Sequence, residues 1–351
     1  MTAAARTLPW SWYSDPEILR LEQERIFRRA WQYVGHMGEL ERPGDRFPAW
    51  AGDVPVVVVR GRAGELRAFL NVCRHRGSIL VAGSGRRESI QCPYHAWTYG
   101  LDGSLLAAPR SEREPGLDLE GLALRPVQVG AWGPFVFVNP ELDAPPLEDA
   151  LGELPALATA HGLDVDALRF RERRHSSLAA NWKLALENYL ECYHCPVAHR
   201  GFSALVNVDP EDYGLEERPG LWSQFGRGRD GAGACQFHLL WPTFRLNVFP
   251  GSTNASVGPL RPDGPGRCTG FLDYFFGEGV EEEAAGELLA LDDEIGREDR
   301  ALVEAAQLGV DSGLLEHGHL LPASERLIAG FQEHLSLALD RGGLREAKGG
   351  G

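Results

Sequence analysis

The sequence predicts an α+β protein in which a small all-β domain precedes a larger domain of antiparallel strands and helices. The chain has 351 residues, enough for two domains of ordinary size. Residues 32–139 contain short β-type segments separated by glycines, whereas residues 281–309 have the pattern of one long acidic helix. We therefore assign residues 1–34 to an N-terminal helical segment packed on the second domain, 35–150 to the β domain and 151–351 to the second domain.

The individual elements follow from local patterns. An amphipathic helix is predicted over residues 15–31, because Asp15 can cap it and Pro16 suits its first turn. Predicted strands of the β domain cover 54–60, 66–72, 89–91, 97–99 and 133–139. A Pro- and Ala-rich connector, 145–168, marks the domain boundary. In the second domain we predict strands over 170–177, 237–250 and 271–276, and a helix that starts at Asn181.

Composition excludes several classes of function. The net charge of −15 argues against nucleic acid as a partner, because phosphate binding depends on Lys and Arg. The N-terminal residues lack the apolar core of a secretion signal, and the longest aliphatic run, 54–59, is interrupted by Pro55 and too short to span a bilayer. We expect a cytoplasmic protein without membrane contact. Its six cysteines form no disulfide framework, and Cys235 and Cys268 are expected to be small buried hydrophobes.

Two loops of the β domain each pair a cysteine with a histidine. They contain Cys73-Arg-His75 and Cys92-Pro-Tyr-His95. Two thiolates and two imidazoles are the ligand set of a Rieske [2Fe–2S] centre, in which the cysteines hold one iron and the histidines the other. Zinc also accepts this set, but zinc fingers place the two cysteines together and the two histidines together. The mixed loops favour the iron–sulfur cluster.

A second metal site is indicated by His194 and His199, which lie five positions apart after an apolar helical stretch. Two imidazoles and one carboxylate suit non-haem Fe(II) and leave positions open for dioxygen. Asp292, Asp293 and Asp299 in the acidic helix compete for the role of third ligand. A zinc site at Cys192 and Cys195 is an alternative, although it would leave His199 without a role.

The loops and the histidine pair resemble those of Rieske non-haem iron oxygenases, specifically their α or terminal oxygenase subunit. The resemblance covers nearly the whole chain, from residues 13–36 through both metal motifs to the acidic helix. It implies a Rieske domain followed by a helix-grip catalytic domain with a curved antiparallel sheet. It also implies a Rieske cluster and a mononuclear Fe(II) as cofactors, with O2 as cosubstrate.

The resemblance assigns further residues. Asn181, Trp182 and Lys183 match the segment that precedes the iron histidines, and Asp299 lies in the segment that carries the aspartate ligand. Glu191 stands where the family usually has an aspartate that bridges an iron-ligand histidine to a Rieske histidine of a neighbouring subunit. The glutamate is one methylene longer than the aspartate, a departure that also occurs in the branch acting on quaternary ammonium compounds.

The resemblance also predicts partners. The chain has no nucleotide-binding fingerprint, so NAD(P)H and flavin would act only through a partner reductase or ferredoxin. Seven arginines between residues 60 and 88 form either a solvated face or a docking surface for that partner. The arginines are Arg60, Arg62, Arg67, Arg74, Arg76, Arg86 and Arg87. Family members assemble as trimers, and we expect a homotrimer.

For the substrate, the resemblance to the quaternary ammonium branch predicts a betaine- or carnitine-like small molecule that is hydroxylated and then dealkylated or cleaved. Trp222, Trp241 and Tyr274 are candidates for an aromatic cage around the cation, with Phe244 and Phe249 as further pocket residues. An aromatic ring-hydroxylating oxygenase is the alternative. A non-catalytic Rieske electron-transfer protein and a zinc-stabilised binding protein are alternatives from other classes.

Overall fold

A computed structural model describes residues 6–116 and 118–340, and the first residues, used above to argue against a secretion signal, lie outside this range. The described residues form two compact units. Phe27–Ala150 form the β unit, and the described residues up to Ile26 and from Leu151 form the α+β unit. In this division, the N-terminal residues that group with the α+β unit end at Ile26. Among the described residues, no helix combines the length and apolar character needed to cross a membrane.

The β unit consists of two antiparallel sheets. A seven-stranded sheet has the order β1-β10-β9-β4-β3-β2-β5, and a three-stranded sheet has the order β6-β7-β8. The strands are β1 (Gln32–His36), β2 (Asp45–Ala51), β3 (Val54–Arg60), β4 (Leu66–Leu70), β5 (Gly85–Arg86), β6 (Ile90–Gln91), β7 (Thr98–Tyr99), β8 (Leu105–Ala107), β9 (Pro126–Trp132) and β10 (Phe135–Asn139).

The position of strand β3 in the sheet explains the run of four valines, Val56–Val59, in the sequence. Alternate side chains of a strand point to opposite faces. Val57 and Val59 pack in the cluster of apolar side chains that contains Cys73 and Cys92, while Val56 and Val58 pack in a separate cluster on the other face. Both faces of this strand are buried, so the three-stranded sheet and the two metal-motif loops rest on a central strand of the larger sheet.

The α+β unit is built on a nine-stranded antiparallel sheet, curled into a half-barrel. Seven strands follow the order β11-β19-β17-β16-β15-β14-β12, while β13 pairs with β14 and β18 with β19. The strands are β11 (Leu168–Leu178), β12 (Val206–Asn207), β13 (Gly214–Arg218), β14 (Leu221–Gly228), β15 (Ala234–Leu240), β16 (Phe244–Val248), β17 (Asn254–Gly258), β18 (Leu260–Pro262) and β19 (Cys268–Gly277). The predicted fold class, a β domain followed by a curved-sheet domain, is confirmed.

The helices are α1 (Pro16–Glu22), α2 (Leu147–Leu151), α3 (Leu154–Ala160), α4 (Trp182–Tyr189), α5 (Cys195–Ala198), α6 (Arg200–Leu205), α7 (Glu282–Val310) and α8 (Arg326–Asp340). Asp15 caps α1 through the amide of Glu17, as predicted, but α1 ends well before residue 31 because a π-helical turn follows and β1 begins at Gln32. The predicted connector contains two short helices, α2 and α3.

A buried network joins α1 to α4. The Lys183 Nζ atom lies 2.5 Å from Glu22 Oε1, and the Trp182 indole donates to the other Glu22 oxygen at 2.7 Å. Asn181 caps α4 by accepting a hydrogen bond from the Lys183 amide, and its own amide donates to Gln307 of α7. The Asn181-Trp-Lys segment therefore fixes the start of the helix that leads to the two histidines.

Candidate metal centres

The two cysteine–histidine loops have matching backbones. In each loop the cysteine carbonyl accepts a hydrogen bond at 3.0 Å from the amide four residues on, which belongs to Gly77 or Ala96. The cysteine amide donates at 2.8 Å to the carbonyl five residues on. Gly77 and Ala96 both adopt positive φ, +73° and +56°. This left-handed step, which is unusual for alanine, lies just after the histidine of each loop and turns the chain back.

The four side chains divide into an inner and an outer pair. Cys73 and Cys92 are free thiols and buried, whereas His75 and His95 are exposed, with ring centroids 4.8 Å apart. Burial alone would raise the pKa of the Cys92 thiol, but hydrogen bonds from the backbone amides of Tyr94 and His95 outweigh burial and lower it. Two buried cysteine sulfurs and two exposed imidazoles fit a [2Fe–2S] cluster whose two irons have different ligands.

His194, His199 and Asp299 converge in the α+β unit. The Nε2 atoms of the two histidines are 3.0 Å apart, and Asp299 Oδ1 lies 3.0 Å from His199 Nε2 and 3.5 Å from His194 Nε2. These three donor atoms lie within 4.8 Å of one another, close enough to bind one metal ion. The predicted helical stretch is interrupted between α4 and α5, where Glu191 accepts from the backbone amides of Tyr193 and His194.

The local charges favour a cation at this point. Burial opposes charge on His194, yet Asp299 and Glu191 raise its pKa to about 9. The pKa of His199 is also raised, chiefly by Asp299 against the effect of burial. Conversely, burial works against ionisation of Asp299, but the two histidines hold its pKa well below its usual range. An anionic carboxylate facing two imidazoles is the 2-His-1-carboxylate arrangement that suits Fe(II).

Each histidine is oriented by a carboxylate on its far side. His194 Nδ1 donates to Glu191, and His199 Nδ1 donates to Glu298 Oε2 at 2.7 Å. Because the Nδ1 proton is held there, both Nε2 atoms are free to act as ligands. Asn188 donates to Asp299 Oδ1 at 2.7 Å and so orients the third donor. Sequence reasoning missed Glu298 and Asn188; the only available signal for Glu298 was its place directly before Asp299.

The other two candidate carboxylates lie elsewhere. Asp292 accepts a hydrogen bond from the hydroxyl of Tyr274, and Asp293 pairs with Arg174. Both residues are on α7, but neither belongs to the group of donor atoms formed by the histidines and Asp299. The helix therefore brings Asp299, the residue preferred from the sequence, to the histidine pair.

The structure corrects the expectation for Cys192 and Cys195. Their sulfur atoms are bonded to each other in a disulfide, whereas the sequence analysis considered these two cysteines only as alternative zinc ligands. Since both sulfurs are consumed by this bond, the alternative zinc site at this position is not supported. Cys235 and Cys268 are buried, as expected.

A cavity of about 290 Å³ opens next to the histidine–aspartate group. Its aromatic lining includes two of the predicted pocket residues, Phe249 and Tyr274. The other three predicted residues do not line it. Trp222 and Trp241 pack against Phe331 of α8, and Phe244 is on the face of β16 opposite Arg245 and Asn247, which line the cavity. Four unpredicted aromatic residues complete the lining: Tyr189, Phe202, Tyr213 and Phe237.

The fold and the two sites define a class: an iron–sulfur domain joined to a non-haem iron oxygenase domain. Models of two protein families match the same regions. The Rieske [2Fe–2S] domain matches residues 30–126, and the ring hydroxylating alpha subunit (catalytic domain) matches residues 165–230 and 204–340.

Similar proteins agree with this class. The carnitine monooxygenase oxygenase subunit of Acinetobacter pittii is 33% identical over 342 residues, covering 94% of this chain and 92% of that protein. The chloroplastic choline monooxygenase of Spinacia oleracea is 33% identical over 341 residues, covering 93% and 77%. The crystal structure of the quaternary ammonium Rieske monooxygenase CntA with L-carnitine has a TM-score of 0.85 at 32% identity and covers 96% of each chain.

This chain belongs to the Rieske non-haem iron oxygenases, as a terminal oxygenase or α subunit. The predicted family, fold class and enzyme class are thereby confirmed. So is the predicted cofactor set, a Rieske cluster, a mononuclear iron and O2. A zinc-stabilised binding protein and a non-catalytic electron-transfer protein are both excluded, because neither accounts for the matched catalytic domain. Naphthalene 1,2-dioxygenase from a Rhodococcus species shares the fold at 21% identity and a TM-score of 0.80.

Proposed function

We propose that this oxygenase hydroxylates a carbon attached to the nitrogen of a betaine- or carnitine-like quaternary ammonium compound, after which the product loses an alkyl group or is cleaved. The observation that carries the proposal is the position of His194, His199 and Asp299 on the wall of a cavity lined by aromatic side chains. Relatives about one third identical over more than nine tenths of this chain are named for carnitine and choline.

We infer that Cys73, His75, Cys92 and His95 hold the cluster and that His194, His199 and Asp299 hold the iron. The donor sets fit both groups, with buried thiolates opposite exposed imidazoles in one and a 2-His-1-carboxylate face in the other. When bound, the cluster supplies single electrons and the iron activates dioxygen. The remaining roles belong to side chains that position these ligands and enclose the substrate.

Glu191 is the proposed positioning residue between the two centres. It holds the Nδ1 proton of His194 and accepts two backbone amides of the turn that carries this histidine. A carboxylate in this role keeps Nε2 unprotonated for the metal. We propose that it also bridges to a Rieske histidine of a neighbouring subunit, which requires the exposed positions of His75 and His95.

The cavity suits a quaternary ammonium group better than a plain arene. Aromatic faces attract a fixed cation by roughly 2 kcal/mol when it is desolvated, and the lining offers Tyr189, Tyr213 and Tyr274 for this purpose. A neutral arene cannot make this cation–π interaction, so the aromatic lining favours a quaternary ammonium group.

Electrons must come from a partner, and we propose a reductase or ferredoxin that docks near the cluster loops. Arg74, Arg76, Arg86 and Arg87 are exposed on or beside these loops. Of the remaining arginines of the group, Arg60 is engaged with backbone carbonyls and Arg67 with Glu65, and Arg62 approaches Glu88. The four exposed arginines would accelerate encounter with an acidic surface.

We further propose that the chain works as a homotrimer in the cytoplasm. A structure of the CntA enzyme, 31% identical with a TM-score of 0.86, is described in terms of inter-subunit electron transfer. A trimer would supply the neighbouring subunit that the proposed role of Glu191 needs. Light scattering of the purified protein tests this assembly, and a monomer with full activity would contradict it.

Substrate screening tests the proposed function. The holoenzyme with a Rieske-oxygenase reductase is assayed for NADH and O2 consumption with glycine betaine, carnitine, γ-butyrobetaine, choline and a panel of arenes. We expect substrate-dependent turnover with ammonium compounds and release of formaldehyde or trimethylamine. Turnover of arenes without any response to ammonium compounds would overturn the substrate class and favour the ring-hydroxylating alternative, leaving the oxygenase class unchanged.

A further inference from the structure

One guanidinium group in the cavity has no acceptor. Arg245 lies on β16, half-buried, and lines the cavity. Its Nε atom is buried without a hydrogen-bond partner, and in the described part of the chain the guanidinium takes part in no hydrogen bond or ion pair. Its contact is with an aromatic face, because the guanidinium carbon lies 5.9 Å from the ring centroid of Tyr189.

The other arginines of the cavity differ in this respect. Arg174 pairs with Glu172 and Asp293, and Arg297 and Arg300 are exposed to solvent. Water can satisfy an exposed guanidinium, whereas a buried donor without an acceptor carries a desolvation cost. Arg245 therefore has donor capacity that a bound molecule can use.

Asp292, a carboxyl group that interacts electrostatically with Arg245, does not form an ion pair with it in the described residues. Asp292 is engaged by the hydroxyl of Tyr274. Burial raises the pKa of Asp292, with the hydrogen bond from Tyr274 and the charge of Arg245 acting in the opposite direction. A positive charge that is not fully compensated is thus left facing the cavity.

A second buried atom without a partner lies on the same face of the sheet. Gln224 Oε1 is buried and unpaired, while its Nε2 donates to the Tyr189 carbonyl at 2.6 Å. The Tyr189 hydroxyl is held by Asn247 at 2.7 Å. Tyr189 is thus fixed at both ends, and it is adjacent in the chain to Asn188, which orients Asp299. Arg245 and the metal-ligand group therefore line one cavity and are linked through a rigid aromatic residue.

We propose that Arg245 binds the carboxylate of a zwitterionic substrate, so that the enzyme selects ammonium compounds that carry a carboxylate over those with a neutral tail such as choline. This inference rests on the proposed function. The planar guanidinium fork matches a carboxylate with two parallel hydrogen bonds. A site built to pair with a charged group rejects an analogue that lacks it, because the site's own donors are then left unpaired. The ammonium end of the substrate is thereby directed towards the metal-ligand group.

A matched pair of substrates tests the inference. The holoenzyme is assayed with γ-butyrobetaine and with its primary amide, which keeps the trimethylammonium group and the chain length but has no charge at the tail. We expect the wild type to prefer the carboxylate by roughly 10- to 100-fold in kcat/KM, the range for a hydrogen-bonded charged group. In Arg245→Gln the KM for γ-butyrobetaine should rise by that factor, and the values for the amide should stay within about twofold.

Two further variants and a binding measurement complete the design. Arg227→Gln removes an exposed arginine of β14, a strand of the same sheet, that does not line the cavity, and it should behave like the wild type. Arg245→Lys keeps the positive charge but loses the planar guanidinium, so it should retain part of the preference for the carboxylate substrate over the amide. This variant tests the inference if Arg245→Gln does not fold. Titration calorimetry with butyrate, which has no ammonium group, should detect binding to the wild type that Arg245→Gln loses.

The possible failures are distinguishable. If the wild type acts only on arenes, the proposed function fails and the inference with it. If the wild type acts on ammonium compounds but Arg245→Gln loses activity equally on the carboxylate and the amide, Arg245 is structural. The inference is then overturned while the proposed function stands. Equal wild-type kcat/KM for γ-butyrobetaine and its amide would likewise overturn the inference and leave the proposed function standing.

Discussion

The buried ion pair of Glu22 and Lys183 offers a quantitative test of how the N-terminal segment is held. Both side chains are fully buried, and the Lys183 ammonium faces the rings of Tyr13 and Trp182 at 5.5 and 5.4 Å. In Lys183→Met the volume is nearly kept but the cation is removed. Within the described part of the chain, the Glu22 carboxylate then keeps the Trp182 indole as its hydrogen-bond donor. Breaking one side of such a pair costs about 3–5 kcal/mol.

Protonation sets an upper limit to this cost. A buried carboxylate without its cation takes up a proton instead, and protonating an ordinary glutamate at pH 7 costs about 3.7 kcal/mol, against about 1 kcal/mol at pH 5. We therefore expect Lys183→Met to lose about 3–4 kcal/mol of unfolding free energy at pH 7 and distinctly less at pH 5. For a unit of this size, a loss of that magnitude at pH 7 corresponds to a fall in Tm of roughly 6–16 °C.

The assay is urea unfolding of the full chain followed by tryptophan fluorescence, with hydrogen exchange of the α1 and α4 amides to assign the transition to this unit. The control is the double variant Glu22→Gln/Lys183→Met, in which the glutamine can still accept from Trp182 and no charge is buried. It should recover to within about 1 kcal/mol of the wild type. A loss below about 1 kcal/mol at pH 7, or a loss independent of pH, would refute the reasoning.

Three other predictions concern the metal site and its supports. Asp299→Ala should keep the visible spectrum of the cluster but lose the mononuclear iron and turnover, since a two-histidine site lacks its anionic ligand. Iron analysis measures this loss. If the iron is lost in Asp292→Ala instead, the assignment of Asp299 is contradicted. Glu191→Gln should keep both metal centres and reduction of the cluster but give little product in a single turnover of pre-reduced enzyme, and a normal yield would mean that the carboxylate is purely structural. Burial raises the pKa of Glu187 to about 7, against hydrogen bonds from Gln332 and Tyr13, so the native state binds this proton more tightly than the unfolded chain. The resulting stability is fully present below about pH 4.5 and is lost as pH rises through about 7, a fall of about 3 kcal/mol that Glu187→Gln should abolish. The test is to measure the Tm of the wild type and of Glu187→Gln at pH 5.5 and pH 8. An equal change in Tm for both proteins would disprove the prediction.

The strands of the β unit could be predicted because their signals are local. Residues 54–60 were predicted as a strand, and β3 spans Val54–Arg60, since a run of β-branched residues between turns defines both ends. The helix predicted to start at Asn181 is confirmed as α4, but its end was not predicted. Apolar spacing continues past Tyr189, but Glu191 captures two backbone amides and ends the helix, an interaction that periodicity does not reveal.

The substrate pocket was the least predictable part. Trp222 and Trp241 were reasonable cage candidates by residue type, yet both pack against Phe331 of α8, a helix that the sequence analysis did not predict. The face of a strand that a side chain occupies follows from alternation, but what covers that face depends on elements far away in the sequence. Phe249 and Tyr274 were predicted on the same grounds and do line the cavity.

The sequence by itself determined the ligand types, because Cys-x-His and Cys-x-x-His loops and a histidine pair are short patterns whose chemistry depends on residue identity and spacing. Tertiary structure alone decided which carboxylates lie beside these ligands and their supporting residues. Asp299 and Glu298 meet His199 from 100 and 99 residues away, and Glu22 meets Lys183 across 161 residues. Such contacts depend on how α7 and α1 pack against α4, and packing follows from the shape and burial of whole elements. The guanidinium of Arg245, which has no hydrogen-bond or ion-pair partner within residues 6–116 and 118–340, becomes recognisable only once the residues around it have been placed.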